Sequence, residues 1–96
     1  MTDYTKEIAA YFSRLKKTID LVDKNELSTL MNVLVSAREV GKQVFVMGNG
    51  GSSATASHYV CDFNKGISVD HKKKFKLICL NDNIPSLMAY ANDFFL

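Results

Sequence analysis

Apolar residues recur at intervals of three and four from the beginning of the chain: Tyr4, Ile8, Tyr11, Phe12, Leu15, Ile19 and Val22. Lys6, Arg14, Lys16 and Lys17 fall largely between them, so the spacing predicts an amphipathic helix over residues 4–22. Asp23 followed by Glu26 is a capping-box pattern that opens a second helix. Its apolar face is Leu27, Leu30, Met31, Leu34, Val35 and Val40, and Gly41 supplies its stop. So short a connection predicts an antiparallel helical hairpin over residues 1–41.

Beyond Gly41 the period changes. Val44, Phe45, Val46 and Met47 form a continuous apolar run ending at Gly48, the pattern of a buried strand in a parallel sheet. Gly48-Asn49-Gly50-Gly51-Ser52-Ser53 reads as a loop, and Ala54 to about Lys65 as a helix closed by Gly66. Asp70-His71-Lys72-Lys73-Lys74 reads as a solvated polar turn in preference to a phosphate-binding patch. Phe75 to Leu80 is a second apolar strand, followed by the turn residues Asn81-Asp82-Asn83. Pro85 suits the first turn of a last helix, Ser86 to about Asn92. The order α-α-β-α-β-α centres on a βαβ unit and predicts an α/β fold with a parallel sheet. Two strands do not complete such a sheet, and the chain ends in the apolar run Phe94-Phe95-Leu96. The pattern is that of the front half of an α/β domain, residues 42–96, behind the hairpin.

With 96 residues the chain allows one small domain or a piece of a larger one. A hydrophobic share of 47% beside 23% charged residues excludes a disordered or collagen-like chain. A net charge of +2 is too mild to indicate nucleic acid. Cys61 and Cys79 make neither a disulfide framework nor a C-x-x-C knuckle and read as small buried thiols. The first residues include Asp3 and Glu7 and lack the apolar core of a secretory leader, and no apolar run approaches the ~20 residues that cross a bilayer. The expectation is a cytoplasmic protein.

The candidate chemistry lies at the Gly-rich turn. A strand-to-helix turn of this kind gathers free backbone N–H groups at the positive end of a helix dipole. Gly50 and Gly51 permit close approach, Ser52 and Ser53 offer hydroxyls and a helix cap, and Asn49 offers an amide. Either an anion such as phosphate binds there, or the turn merely caps a helix. A dinucleotide fingerprint fails because Ser53 stands where its third glycine is required, and a P-loop fails because no lysine follows. Downstream, Thr55, His58, Asp62 and Lys65 share one helix face. His58 and Asp62 could transfer protons or hold a metal, or form only an exposed i,i+4 pair.

The stretch Val46-Met47-Gly48-Asn49-Gly50-Gly51-Ser52-Ser53-Ala54-Thr55-Ala56-Ser57-His58-Tyr59 resembles the first strand, loop and helix of sugar isomerase (SIS) domains. It is most similar to the phosphoheptose isomerases, which interconvert sedoheptulose 7-phosphate and D-glycero-D-manno-heptose 7-phosphate. Leu80-Asn81-Asp82-Asn83 and Ala89-Tyr90-Ala91-Asn92-Asp93 resemble the family's next strand end and helix, in the same order. The resemblance covers essentially the whole chain and implies the front half of a Rossmann-like, flavodoxin-like SIS domain.

By position, the resemblance implies that Asn49, Gly50, Gly51, Ser52 and Ser53 line a sugar-phosphate pocket and that Asn81 and Asp82 contact the sugar. His58 matches a zinc ligand of metal-containing members, and Asp62 falls where the family has a catalytic, metal-binding glutamate. Asp is one methylene shorter, and displacing a catalytic carboxylate by about 1 Å can lower the rate on the order of a hundredfold. The implied reaction is aldose–ketose isomerisation through an enediol, with Asp62 as base and His58 as metal ligand or proton carrier. The family's second half supplies further phosphate-binding hydroxyls, a glutamine, a second histidine and three more strands. The resemblance thus implies half an active site, inactive alone, with zinc only in the complete protein, a homo-oligomer, and neither nucleic acid nor membrane as partner. A second reading is a non-catalytic SIS module binding phosphosugars or a regulatory protein.

Overall fold

A computed structural model of the chain describes residues 1–94; Phe95 and Leu96, which end the terminal apolar run, lie outside the described residues. The described elements run α1 (Thr5–Asp20), α2 (Lys24–Glu39), β1 (Gln43–Val46), α3 (Gly51–Cys61), a π-helical turn (Asp62–Ile67), β2 (Lys76–Cys79), a 3-10 turn (Leu80–Asp82) and α4 (Ile84–Phe94). This is the expected α-α-β-α-β-α order. Two units are distinguished, Met1–Asn32 and Val33–Leu96.

In the first unit, Asp23 caps α2 as its sequence predicts. Its Oδ1 accepts from the backbone N–H of Asn25 at 2.8 Å and of Glu26 at 3.2 Å, satisfying two of the donors that a helix start leaves free. Neither α1 nor α2 contains a buried residue. Ile8, Phe12 and Leu15 on α1, and Leu27 and Leu30 on α2, remain exposed, so the expected hairpin does not bury its apolar faces.

In the second unit, β1 and β2 pair in parallel with Gln43 opposite Lys76 and Val46 opposite Cys79. Leu77 and Cys79 point inward and are buried together with Ala56 of α3, while Val44 and Val46 are half-buried beside them. The other face is open. Phe45 is 58% exposed, so β1 is not the fully buried strand that its apolar run suggests: only alternate side chains, at period two, meet α3.

Helix α3 does not end on Gly66 as expected. It ends at Cys61 and widens into the π-helical turn, inside which Gly66 lies. The wider turn serves two contacts. Phe63 packs edge-on against Phe75 at 5.0 Å between ring centroids, and Asn64 pairs with the edge of β2. The Asn64 carboxamide donates to Leu77 O at 2.9 Å and accepts from Leu77 N–H at 2.8 Å, covering that strand edge as a neighbouring strand would. Ser68, fully buried, donates to Phe63 O and accepts from Phe75 N–H, which ties the turn to the start of β2. At the end of α2, Lys73 and Arg38 bond the Glu39 carboxylate and hold its pKa below the usual value.

Candidate functional site

The turn between β1 and α3 is shorter than the sequence suggests, because α3 begins at Gly51 rather than Ala54. Gly50 stands before it at φ 56° and ψ −126°, a backbone shape that L-residues avoid, so glycine is needed there. The bonds of the first turn come from the chain itself: Ser52 N–H reaches Asn49 O at 3.0 Å and Ser53 N–H reaches Gly50 O at 3.1 Å. No side chain caps the helix. The cap expected of Ser52 and Ser53 is therefore absent, since both lie within α3 and the Ser53 hydroxyl donates back to Gly50 O at 2.7 Å. Among the described residues, the N–H groups of Gly50 and Gly51 and the Ser52 hydroxyl have no hydrogen-bond partner. Free donors at the positive end of an eleven-residue helix suit an anion.

Asn81 fixes this turn from the other strand. Its Oδ1 accepts from Gly48 N–H at 2.9 Å, and its Nδ2 donates to Gly48 O at 2.7 Å. The carboxamide thereby extends the β1–β2 connection two residues beyond Val46 and Cys79. The oxygen and one N–H of Asn81 are engaged in this way, leaving a single N–H for a ligand. Replacing Asn81 by Asp would set a carboxylate oxygen against Gly48 O. Asn81→Asp is expected to destabilise the second unit by about 2 kcal/mol, read by chemical denaturation.

Asp82 lies next in the chain and lines a cleft of about 570 Å³ with Ser53, Ala54, Ser57, Asn81 and Ile84. Ser57 Oγ donates to Asp82 Oδ1 at 2.8 Å and lies 3.5 Å from Cys79 Sγ. His58 of α3 and Asp62, the first residue of the π-helical turn, line a second cleft of about 570 Å³ with Ala54, Thr55 and Tyr59. His58 Nε2 is 3.3 Å from Asp62 Oδ2, with the side chains 75% and 52% exposed. Of the loop, Ser53 thus shares a cleft with Asn81 and Asp82, and Gly48 is bonded to Asn81, whereas the histidine–carboxylate pair faces a separate cleft that meets the first only at Ala54. Among the described residues no third His, Cys, Asp or Glu joins His58 and Asp62 in a metal-binding group. Two donors fall short of the three protein ligands that zinc typically takes.

The sequence is 29% identical to the phosphoheptose isomerase of Syntrophotalea carbinolica over 94% of this chain and 47% of the relative. It is 34% identical to the probable phosphoheptose isomerase of Thermoplasma acidophilum over 83% of this chain and 38% of the relative. The chain belongs to the phosphoheptose isomerase-like sugar isomerase family. It spans less than half the length of these two relatives. A third relative, lincomycin biosynthesis protein LmbN of Streptomyces lincolnensis, is 36% identical over 64% of this chain and 22% of its own length. No family model matches the chain, and no solved structure matches it. No helix among the described residues is long and apolar enough to cross a membrane.

For this member of the sugar isomerase family, one side chain of the site and one that braces β2 escape sequence reasoning. Ser57 reaches Asp82 across 25 positions and Asn64 reaches Leu77 across 13. The available signal is one of helix position: Ser57 follows Ser53 by one turn and so shares its cleft.

Proposed function

We propose that the chain binds a sugar phosphate at the turn before α3 and belongs to an aldose–ketose isomerase of the sedoheptulose 7-phosphate type. The observation that carries this reading is the set of unpartnered donors, Gly50 N–H, Gly51 N–H and Ser52 Oγ, at the start of α3. Phosphate is the remote anchor. Asp82, which closes the 3-10 turn after β2, accepts sugar hydroxyls beside it. Isomerisation moves a proton between C1 and C2 through an enediol, which requires a base for carbon and an acid for oxygen. Asp62 is assigned as base, and His58, one turn away, carries a proton to or from it. If zinc serves the assembled protein, His58 and Asp62 hold it with donors from elsewhere, and it polarises the sugar carbonyl. The second acid–base partner also comes from outside the described residues, so the chain by itself binds without turnover. The exposed apolar stripe of α1 supports a homo-oligomer, in a cytoplasmic enzyme.

Titration with sedoheptulose 7-phosphate tests the anchor. Ser52→Ala is expected to weaken binding about tenfold, the loss of one hydrogen bond to a charged group. Gly50→Val is expected to weaken it further, because valine resists the positive φ at this position. Unchanged affinity in both variants would place the anion elsewhere.

A non-catalytic phosphosugar-binding module is the second reading. The separation of the His58–Asp62 cleft from the Asp82 cleft favours it. Isomerisation of bound sugar phosphate by the assembled protein would exclude it.

A further inference from the structure

Ser57 is absent from the sequence reading of the site, yet its hydroxyl donates to Asp82, 2.8 Å from Oγ to Oδ1. The donor stands on α3, the helix with the proposed anion site at its start, and the acceptor closes the 3-10 turn that follows β2. We infer that Ser57 is a positioning residue that fixes the Asp82 carboxylate for recognition of the sugar portion of the ligand, an inference that rests on the proposed phosphosugar site.

A carboxylate on a single rotatable stem samples several orientations, and holding it in one before the ligand arrives lowers the entropy lost on binding. Ser57 has one proton, and it goes to Oδ1, the charged acceptor. Oδ2 has no partner among the described residues and remains an acceptor for a hydroxyl. The Ser57 oxygen also lies 3.5 Å from the buried Cys79 Sγ, a contact of packing, since the one Ser57 proton is given to Asp82. Phosphate affinity comes from Gly50, Gly51 and Ser52, none of which contacts Ser57 or Asp82 through a hydrogen bond. Ser57 therefore acts on the sugar end of the ligand and not on the phosphate end.

Two measurements separate this inference from the function on which it rests. The first is made without ligand, in the unsubstituted chain, Ser57→Ala, Asp82→Ala and the double variant. If the contact operates, the loss of Tm in the double variant is smaller than the sum of the two single losses. Strict additivity overturns the inference whatever the ligand proves to be. The second compares two probes, sedoheptulose 7-phosphate and inorganic phosphate. Ser57→Ala is expected to weaken the sugar phosphate roughly fivefold to tenfold, to leave inorganic phosphate unchanged, and to be rescued by Ser57→Thr. Equal losses for both probes would mark Ser57 as a merely structural residue, and no loss for either would leave Asp82 without need of it; each result overturns the inference. Failure of the unsubstituted protein to bind either probe would overturn the function, and the sugar-positioning role with it, even with the coupling intact.

Discussion

Gly48→Ala is expected to lower the stability of the second unit by about 3 kcal/mol. A Cβ built on Gly48 would lie 2.5 Å from Ser52 O, 2.6 Å from Ser52 C and 2.7 Å from Ser52 Cβ. Two of those atoms are backbone, and they belong to the first turn of α3, where Ser52 N–H is bonded to Asn49 O. Gly48 cannot retreat the other way, because both of its backbone polar groups are bonded to the Asn81 carboxamide. The strain must therefore unwind the start of α3 or pull Asn81 off the loop, and either change scatters the Gly50 and Gly51 donors. Thermal unfolding should report a fall in Tm of roughly 10–25 °C for a unit of this size. Gly51→Ala provides the contrast. Its Cβ would meet nothing within 4 Å and its φ is not positive, so the same change three residues on should leave Tm nearly unaltered. Equal Tm values for the two variants would contradict the geometry of the turn.

On the proposed function, Asp62→Asn is expected to reduce isomerase turnover of the assembled protein by a factor on the order of 10²–10⁴ while leaving stability almost unchanged. The two halves of this expectation have separate grounds. Asp62 and His58 form an exposed i,i+4 pair at 3.3 Å, and such surface pairs contribute about 0–1 kcal/mol. A fall in turnover therefore reports a lost role of Asp62 in the site, as base or as metal ligand, and not lost fold. Asp62→Glu supplies the longer carboxylate that the resemblance implies at this position and should retain turnover. Steady-state kinetics beside thermal unfolding decides the matter. Undiminished turnover in Asp62→Asn would remove Asp62 from the reaction and assign the base to another group.

What was legible in the sequence is local. The three- and four-residue spacing from Tyr4 to Val22 anticipates α1, Asp23 announces the cap of α2, and Pro85 falls in the first turn of α4. The runs at 44–47 and 75–80 anticipate two parallel strands to within a residue or two at each end. The start of α3 was missed because Gly51 and Ser52 are weak helix formers by propensity. They are helical here because Asn49 O accepts from Ser52 N–H and Gly50 O from Ser53 N–H. Gly66 looked like a helix stop, and only the partners of Phe63 and Asn64 on β2 explain why a π-helical turn runs through it. The resemblance implies that Asn81 contacts the sugar but says nothing of its bonds to Gly48. Its engagement with Gly48 spans 33 positions, a distance that no periodicity encodes.

The central claim is that the phosphate of a sugar phosphate sits at the N-terminus of α3. The most direct measurement follows backbone amide ¹H–¹⁵N shifts while sedoheptulose 7-phosphate is added to isotopically labelled protein. The expected result is a saturable change largest at Gly50, Gly51 and Ser52, whose N–H groups open or form the first turn, with smaller changes at Asp82. Saturable changes confined to the cationic surface of Arg38, His71, Lys72 and Lys73, with the Gly50–Ser52 amides unmoved, would contradict it.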